Sequence, residues 1–503
     1  MRLPSDYISL SQAKTPLLDA LRWCANKNHA AFYTPGHKRG QGIPQPLADL
    51  LGKAVFPADL PELEELDNLF APQSVIQEAQ QLAAEAFGAE HSWFLVNGST
   101  CGVTAAIMAT CGKGDKIVMS RNVHQSAIAG LILSGAIPVF VNPEYDQVLG
   151  LAYSITASSV AAALEQHPDA KAVMMVYPTY YGVCGDVAAI AQIAHQHNIP
   201  LLVDEAHGAH FAFHPDLPTP ALAAGADLSV QSTHKVLSAL TQASMLHVRG
   251  NRINIDKLNK TLQLVQSTSP SYLLLASLDA ARQQMALHGK QLMTRTLQLA
   301  DDAKSRINQI PGLSVLELAN TQGFVDIDRT RLTLGVSELN LTGFEADEIL
   351  DQQLSVTAEL PSLQHLTFII SLGNTQADID ALVSALRTLA SEHSRPKSIN
   401  SWQDVFIRWK KELLQIHPSS FIIYPSISPR DAFFSQTETL PIEQTLERIS
   451  AELVCPYPPG IPVLMPGEEI TPAALDYLKQ ILALGGSITG CSDPALKTLK
   501  VVR

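Results

Sequence analysis

The stretch "KAVMMVYPTYYGVCGDVAAIAQIAHQHNIPLLVDEAHGAH" (Lys171–His210) decides how this chain is read. An apolar run, "KAVMMV", ends at a polar turn, "DVAAIAQIAHQHN" has the amphipathic spacing of a helix, and "IPLLVD" is a second apolar run. Short buried strands separated by helical segments form parallel βαβ units, because a parallel pair needs a crossover and the crossover covers a face of the sheet. The alternation extends in both directions. "SWFLVNGST" leads into "CGVTAAIMATC", "DKIVMS" precedes "HQSAIAGLILSG", "IPVFV" follows, and "ADLSVQSTHK" comes after "IPLLVDEAHGAHF". From about Pro72 to Val248 the pattern predicts an α/β sheet covered on both faces, with its polar groups beyond the carboxyl ends of the strands.

The 503 residues are 46% hydrophobic, ample for a large core, and the length suggests about three domains. A net charge of −13 argues against nucleic acid as a partner, since phosphate binding needs a basic face. The six cysteines are scattered without a CxxC pair or zinc-like spacing, which reads as reduced thiols. The N-terminal "MRLPSDYISLSQAKTPLL" lacks the apolar run of a signal peptide, and no segment reaches the about 18 apolar residues of a membrane span. The expectation is a cytoplasmic protein with no membrane and no nucleic-acid partner.

The order of apolar and amphipathic runs divides the chain into an N-terminal arm or segment (1–71), a large α/β domain (72–328), a small α+β domain (329–395) and a C-terminal α+β domain (396–503). The small domain holds "RTRLTLGVSEL", "TGFEADEILDQQL" and "LTFIISLG". The polar, proline-containing "SEHSRPKSIN" reads as the linker that follows it.

Three strand ends carry candidate chemistry. In "NGSTCG", small residues at a helix start leave backbone N–H groups free for an anion, so Ser99, Thr100 and Cys101 are candidate phosphate ligands; an ordinary N-cap turn is the alternative. In "LLVDEAHGAH", Asp204 follows a buried strand. The letters DEAH suggest a helicase, but neither "CGKGDK" nor "LHGKQL" fits the phosphate loop an NTPase needs. A metal on Asp204, His207 and His210 is a further alternative, with no fuller ligand set evident. In "VQSTHK", Lys235 sits among Ser232, Thr233 and His234, 31 residues after Asp204, a spacing that suits one strand–helix–strand step.

An anion seat, a carboxylate and a lysine together suit pyridoxal 5′-phosphate. The lysine forms its Schiff base, the carboxylate pairs with the protonated pyridine nitrogen, and the phosphate rests on a helix N-terminus. Ser232 and His234 are placed to face that phosphate. His124, in "SRNVHQSAIAG", offers a flat ring for stacking on the pyridine.

"QSTHK" with "DEAH", "RNVHQS", "PTYYG", "YTPGHKRG", "PRDAFFSQTETL" and "CPYPPGIPVLMPGEEI" resembles the Orn/Lys/Arg decarboxylase family of fold type I pyridoxal-phosphate enzymes. The resemblance covers most of the chain. It implies an aspartate aminotransferase-like large domain, a short form without the N-terminal wing domain, and a homodimer or dimer of dimers with shared active sites. His207 stands where the large members carry a tryptophan. By the same resemblance, the arm around His37 and the C-terminal unit line the substrate entrance, and Glu438 is a candidate for the distal cation of the substrate.

The implied reaction is decarboxylation of a basic L-amino acid, arginine or lysine before ornithine, to agmatine, cadaverine or putrescine. Catalytic roles fall to Lys235, Asp204, His124 and His207, with no metal. The apolar "FIIS" (Phe368–Ser371) offers no arginine clamp for the α-carboxylate, which suits loss of carbon dioxide. An aminotransferase, an aldolase-type lyase or a catalytically silent cofactor-binding protein are the competing readings.

Overall fold

The computed structural model describes residues 12–146, 148–393, 422–423, 425–457 and 460–503. The start of the expected arm and the boundary expected at 395/396 lie outside the described residues. The chain divides into two compact units, Met1–Ala109 with Asp204–Thr294, and Thr110–Val203 with Arg295–Arg503. Each unit is assembled from separated stretches of chain.

In the first unit, strand Ser244–Val248 lies between His91–Leu95 and Leu228–Gln231 and runs antiparallel to both. This departs from the parallel arrangement that the alternating pattern predicts. The residues between Gln231 and Ser244 form only a one-turn helix and a tight connection, too short for a parallel crossover. Helix Gly98–Thr110 follows the edge strand. A side chain at Gly102 would meet Leu95 and Val230 at 2.7 Å, so glycine lets the helix start lie directly on the strands. The N-terminal segment is held by a fully buried ion pair, Arg282–Asp279. Arg282 donates to the carbonyls of Gln12 and Lys14, and Asp279 accepts the Leu17 N–H at 3.0 Å.

In the second unit, Lys116–Ser120 lies between Ile137–Val141 and Ala172–Val176 and is parallel to both, as the βαβ reading predicts. Helices Ala157–Gln166 and Val187–Gln196 start where Thr156 and Asp186 accept N–H groups of their first turns. A second sheet runs Ser314–Val315, Arg331–Gly335, His365–Ile369, Leu360–Pro361, antiparallel throughout. Its core residues, among them Leu332, Leu334, Leu366 and Phe368, pack with Ala303 and Ile307 and with helices Gly343–Leu354 and Gln376–His393. The last part pairs Thr437–Pro441 with Thr498–Val502 and Cys455–Tyr457 with Ser487–Thr489, around a core shared with helix Pro472–Ala483. No helix among the described residues is long and apolar enough to cross a membrane.

Candidate active site

Asp204 closes the strand Leu201–Asp204, and Lys235 lies in the one-turn helix Thr233–Val236 that follows Leu228–Gln231. Asp204 is buried, and one of its oxygens accepts the Ala206 N–H at 3.2 Å. Burial pushes its carboxyl pKa upward, and the nearby Lys235 charge opposes that shift. The Lys235 Nζ is 3.0 Å from Nε2 of the buried His207. The lysine that sequence alone places among small hydroxyls therefore meets an imidazole from the neighbouring strand's end.

The candidate anion-seat residues lie in the same unit. Ser232 donates to the Ser99 hydroxyl at 2.7 Å, joining the residue three before the lysine to the first turn of helix Gly98–Thr110. Gly98 has φ +74°, a left-handed turn that starts the helix immediately after the strand. The first-turn N–H groups have no intrahelical acceptor, and Thr100 adds an exposed hydroxyl. The Cys101 thiol turns back to the Gly98 carbonyl at 3.1 Å, and burial pushes its pKa up to about 12, which leaves its backbone N–H as the group it can offer an anion. His234 donates from Nδ1 to the Ala243 carbonyl at 2.9 Å, since a carbonyl only accepts.

These groups fit pyridoxal phosphate. A buried carboxylate has an unfilled capacity for a pyridinium N–H, the helix start with its hydroxyls suits a phosphate, and a lysine lies in the same unit. Among the described residues no group of three or more His, Cys, Asp or Glu is arranged to hold a metal, so Asp204, His207 and His210 do not form the alternative site.

The remaining candidates are placed as follows. His124 belongs to the second unit, where its Nδ1 accepts the Ser126 N–H at 3.2 Å and caps helix Gln125–Ser134. Three residues earlier, Arg121 donates to the Pro462 and Val463 carbonyls and pairs with Glu468 at 3.1 Å. This ties the C-terminal segment to the His124 loop. A side chain at Gly460 would stand 3.9 Å from the His124 Nε2. His37 accepts the Gly40 N–H on Nδ1 at 3.0 Å and meets Asp59 with Nε2 at 3.1 Å, so both ring nitrogens brace its own loop. Glu438 lies on strand Thr437–Pro441 and accepts from Arg448 at 2.6 Å.

Two features escaped the sequence reading. Arg331 is the cross-strand partner of Ile369 within "FIIS", so a cation does lie beside that apolar stretch. Its guanidinium is buried, donates to the Tyr180 carbonyl at 3.0 Å, and has Asp328 at 3.8 Å. The "FIIS" stretch itself carries no cation, but one lies across the strand from it, and a carboxylate faces that cation. An arginine at the start of "RLTLG" was the available signal, but strand register alone reveals its neighbour. The second feature is Glu205, fully buried beside Asp204.

Solved structures carry the same fold. Lysine decarboxylase A from Pseudomonas aeruginosa superposes with a TM-score of 0.82 at 23% identity, over 98% of this chain and 81% of that one. Alanine–glyoxylate aminotransferase from Nostoc sp. superposes with a TM-score of 0.52 at 17% identity, over 64% of this chain and 88% of that one. The fold is therefore that of the aspartate aminotransferase-like, fold type I enzymes. Residues 15–333 match the family model of the Orn/Lys/Arg decarboxylase major domain, and residues 414–492 match that of its C-terminal domain. Arginine decarboxylase of Bacillus subtilis (strain 168) is 39% identical over 501 residues, 98% of this chain and 99% of that protein. The chain belongs to the Orn/Lys/Arg decarboxylase family, and it is a decarboxylase of basic amino acids.

Proposed function

We propose that the chain decarboxylates L-arginine to agmatine and carbon dioxide with pyridoxal 5′-phosphate bound at Lys235. The observation that carries this reading is the Lys235–His207 contact of 3.0 Å in the unit that also buries Asp204. The 39% identity to a protein named arginine decarboxylase, over almost the whole of both chains, supports arginine as the substrate.

The bound cofactor supplies an electron sink for the pair released when the bond from the α-carbon to the carboxylate breaks. In this reading Asp204 holds the pyridine nitrogen protonated. Ser99, Thr100, Ser232 and the first-turn N–H groups of helix Gly98–Thr110, with Cys101 through its backbone, hold the phosphate, and His234 flanks it. By the family resemblance, His124 would supply the ring that stacks on the pyridine. Lys235 anchors the cofactor and returns a proton to the α-carbon, with His207 Nε2 as the acceptor that orients its amine. His37 braces the arm at the substrate entrance, and Glu438 takes the distal guanidinium by sharing its carboxylate with Arg448.

The functional unit in this reading is a cytoplasmic homodimer or dimer of dimers with shared sites, and the highly exposed Phe32 and Leu50 of the arm support a covered surface there. The four-part division at 71/72, 328/329 and 395/396 belongs to the same proposal. The test is incubation of the purified, cofactor-loaded protein with arginine, lysine and ornithine separately, quantifying carbon dioxide and each amine. Agmatine and carbon dioxide in equal amounts, without any keto acid added, support the reading. A requirement for a keto acid, or no turnover of any of the three, would overturn it.

A further inference from the structure

Glu205 is the acidic letter of "DEAH" to which the decarboxylase reading gives no part. Consecutive residues at a strand end point to opposite faces, so its side chain leaves the face that Asp204 occupies. On that opposite face its carboxylate accepts from Ser229 Oγ and, at 2.9 Å, from Gln231 Nε2. Ser229 and Gln231 are two apart on one strand and share a face, whereas the next residue, Ser232, turns to the other. The same carboxylate accepts the Ala221 N–H at 2.8 Å. Its backbone is equally engaged: the N–H donates to the Val230 carbonyl at 2.9 Å, and the carbonyl accepts the Gly208 N–H at 2.9 Å. A side chain at Gly208 would meet the Glu205 Cγ at 2.8 Å, so the turn that carries His207 is packed directly on this residue.

One residue thus clamps three pieces: the strand end that leads to Lys235, the turn that presents His207, and the loop at Ala221. We propose that Glu205 is a positioning residue that sets the separation of Asp204, His207 and Lys235, and through it the affinity and protonation behaviour of the bound pyridoxal phosphate. The proposal rests on the cofactor assignment above. Glu205 would act through its protein hydrogen bonds to Ser229, Gln231 and Ala221 rather than by touching cofactor or substrate.

The experiment compares the full-length protein with Glu205→Gln, which keeps the shape but turns one accepting oxygen into a donor facing other donors. Two further variants frame it: Ser229→Ala, which removes one donor and spares the carboxylate, and Leu386→Ala, a core truncation in the small sheet's domain that serves as a stability control. The readouts are the pyridoxal phosphate dissociation constant, the pH titration of the bound cofactor's visible absorption, and Tm. Glu205→Gln is expected to weaken cofactor binding by about tenfold or more and to displace the spectral titration, with Ser229→Ala intermediate. Leu386→Ala is expected to lower Tm while leaving both cofactor readouts at wild-type values. Wild-type affinity and titration in Glu205→Gln would overturn the proposal, as would cofactor losses in Leu386→Ala of the same size at equal Tm. Should Glu205→Gln fail to fold, Ser229→Ala decides by the same two readouts. A wild-type protein that acquires no visible absorption with pyridoxal phosphate would instead overturn the cofactor assignment.

Discussion

The Nζ of Lys235 and the Nε2 of His207 are 3.0 Å apart, although the two residues sit on different strand ends. An ammonium only donates, so toward a charged lysine the imidazole nitrogen is the acceptor. His207→Phe should keep the bulk and remove the acceptor. The expected result is slower attachment of pyridoxal phosphate to the lysine, by about 100-fold or more in rate, with Tm little changed. Stopped-flow absorption after mixing cofactor with apoprotein measures it, and unchanged kinetics would leave His207 a packing residue.

Lys235→Ala should abolish the visible absorption of the cofactor-loaded protein. Borohydride treatment followed by peptide mapping should find no cofactor-modified peptide at residue 235. Turnover should fall by at least about a hundredfold, the lower bound for a positioned proton-transfer group. Retention of a borohydride-fixed adduct on another lysine would move the site.

Asp204→Asn should retain part of the cofactor and lose most of the activity, because an amide cannot keep the pyridine nitrogen protonated. A variant within about threefold of the wild-type rate, under ~0.7 kcal/mol of barrier, would assign Asp204 to the fold alone.

Glu438 already has Arg448 at 2.6 Å, so its contribution to the substrate is the part that survives sharing. If it reads the distal charge, Glu438→Gln lowers kcat/KM for the cationic substrate by roughly 10- to 150-fold, the equivalent of a charge-assisted hydrogen bond of about 1.5–3 kcal/mol. An uncharged substrate of similar length should be unaffected. Equal loss for both would identify the Glu438–Arg448 pair as a strand brace.

Asp67 makes acid stability testable. Burial raises its carboxyl pKa, but the N–H groups of Gln73, Ser74 and Asn68 outweigh that and hold it below the usual carboxylate value. A folded-state pKa below the unfolded one means stability that is complete above the ordinary carboxylate pKa of about 4 and is lost as pH falls through the folded value. Asp67→Asn should lower stability at neutral pH by about 1.5–3 kcal/mol and flatten the acid limb of stability against pH. Denaturant melts at neutral and acid pH measure both effects. An unaltered acid limb would show that other carboxylates govern it.

The chain order of apolar and amphipathic runs determined the α/β class, because strand and helix periods are local properties. The motifs at the strand ends were equally legible: Asp204, Lys235 and the "NGSTCG" helix start stand out by residue type and position. Partnership was not legible. Nothing in the order of residues says that His207 meets Lys235, that Arg331 lies opposite Ile369, or that Glu438 is engaged by Arg448. Nor does it reveal that Glu205 is locked between Ser229, Gln231 and Ala221 on the face opposite Asp204. Such pairs depend on strand register, on which face a side chain takes and on how turns fold back, and a shift of one residue in a strand would exchange the partners it carries. The sequence by itself determined which chemical groups this protein carries at its strand ends. Tertiary structure decided which of them are already bound to each other, because hydrogen bonds are made or lost over a few tenths of an ångström.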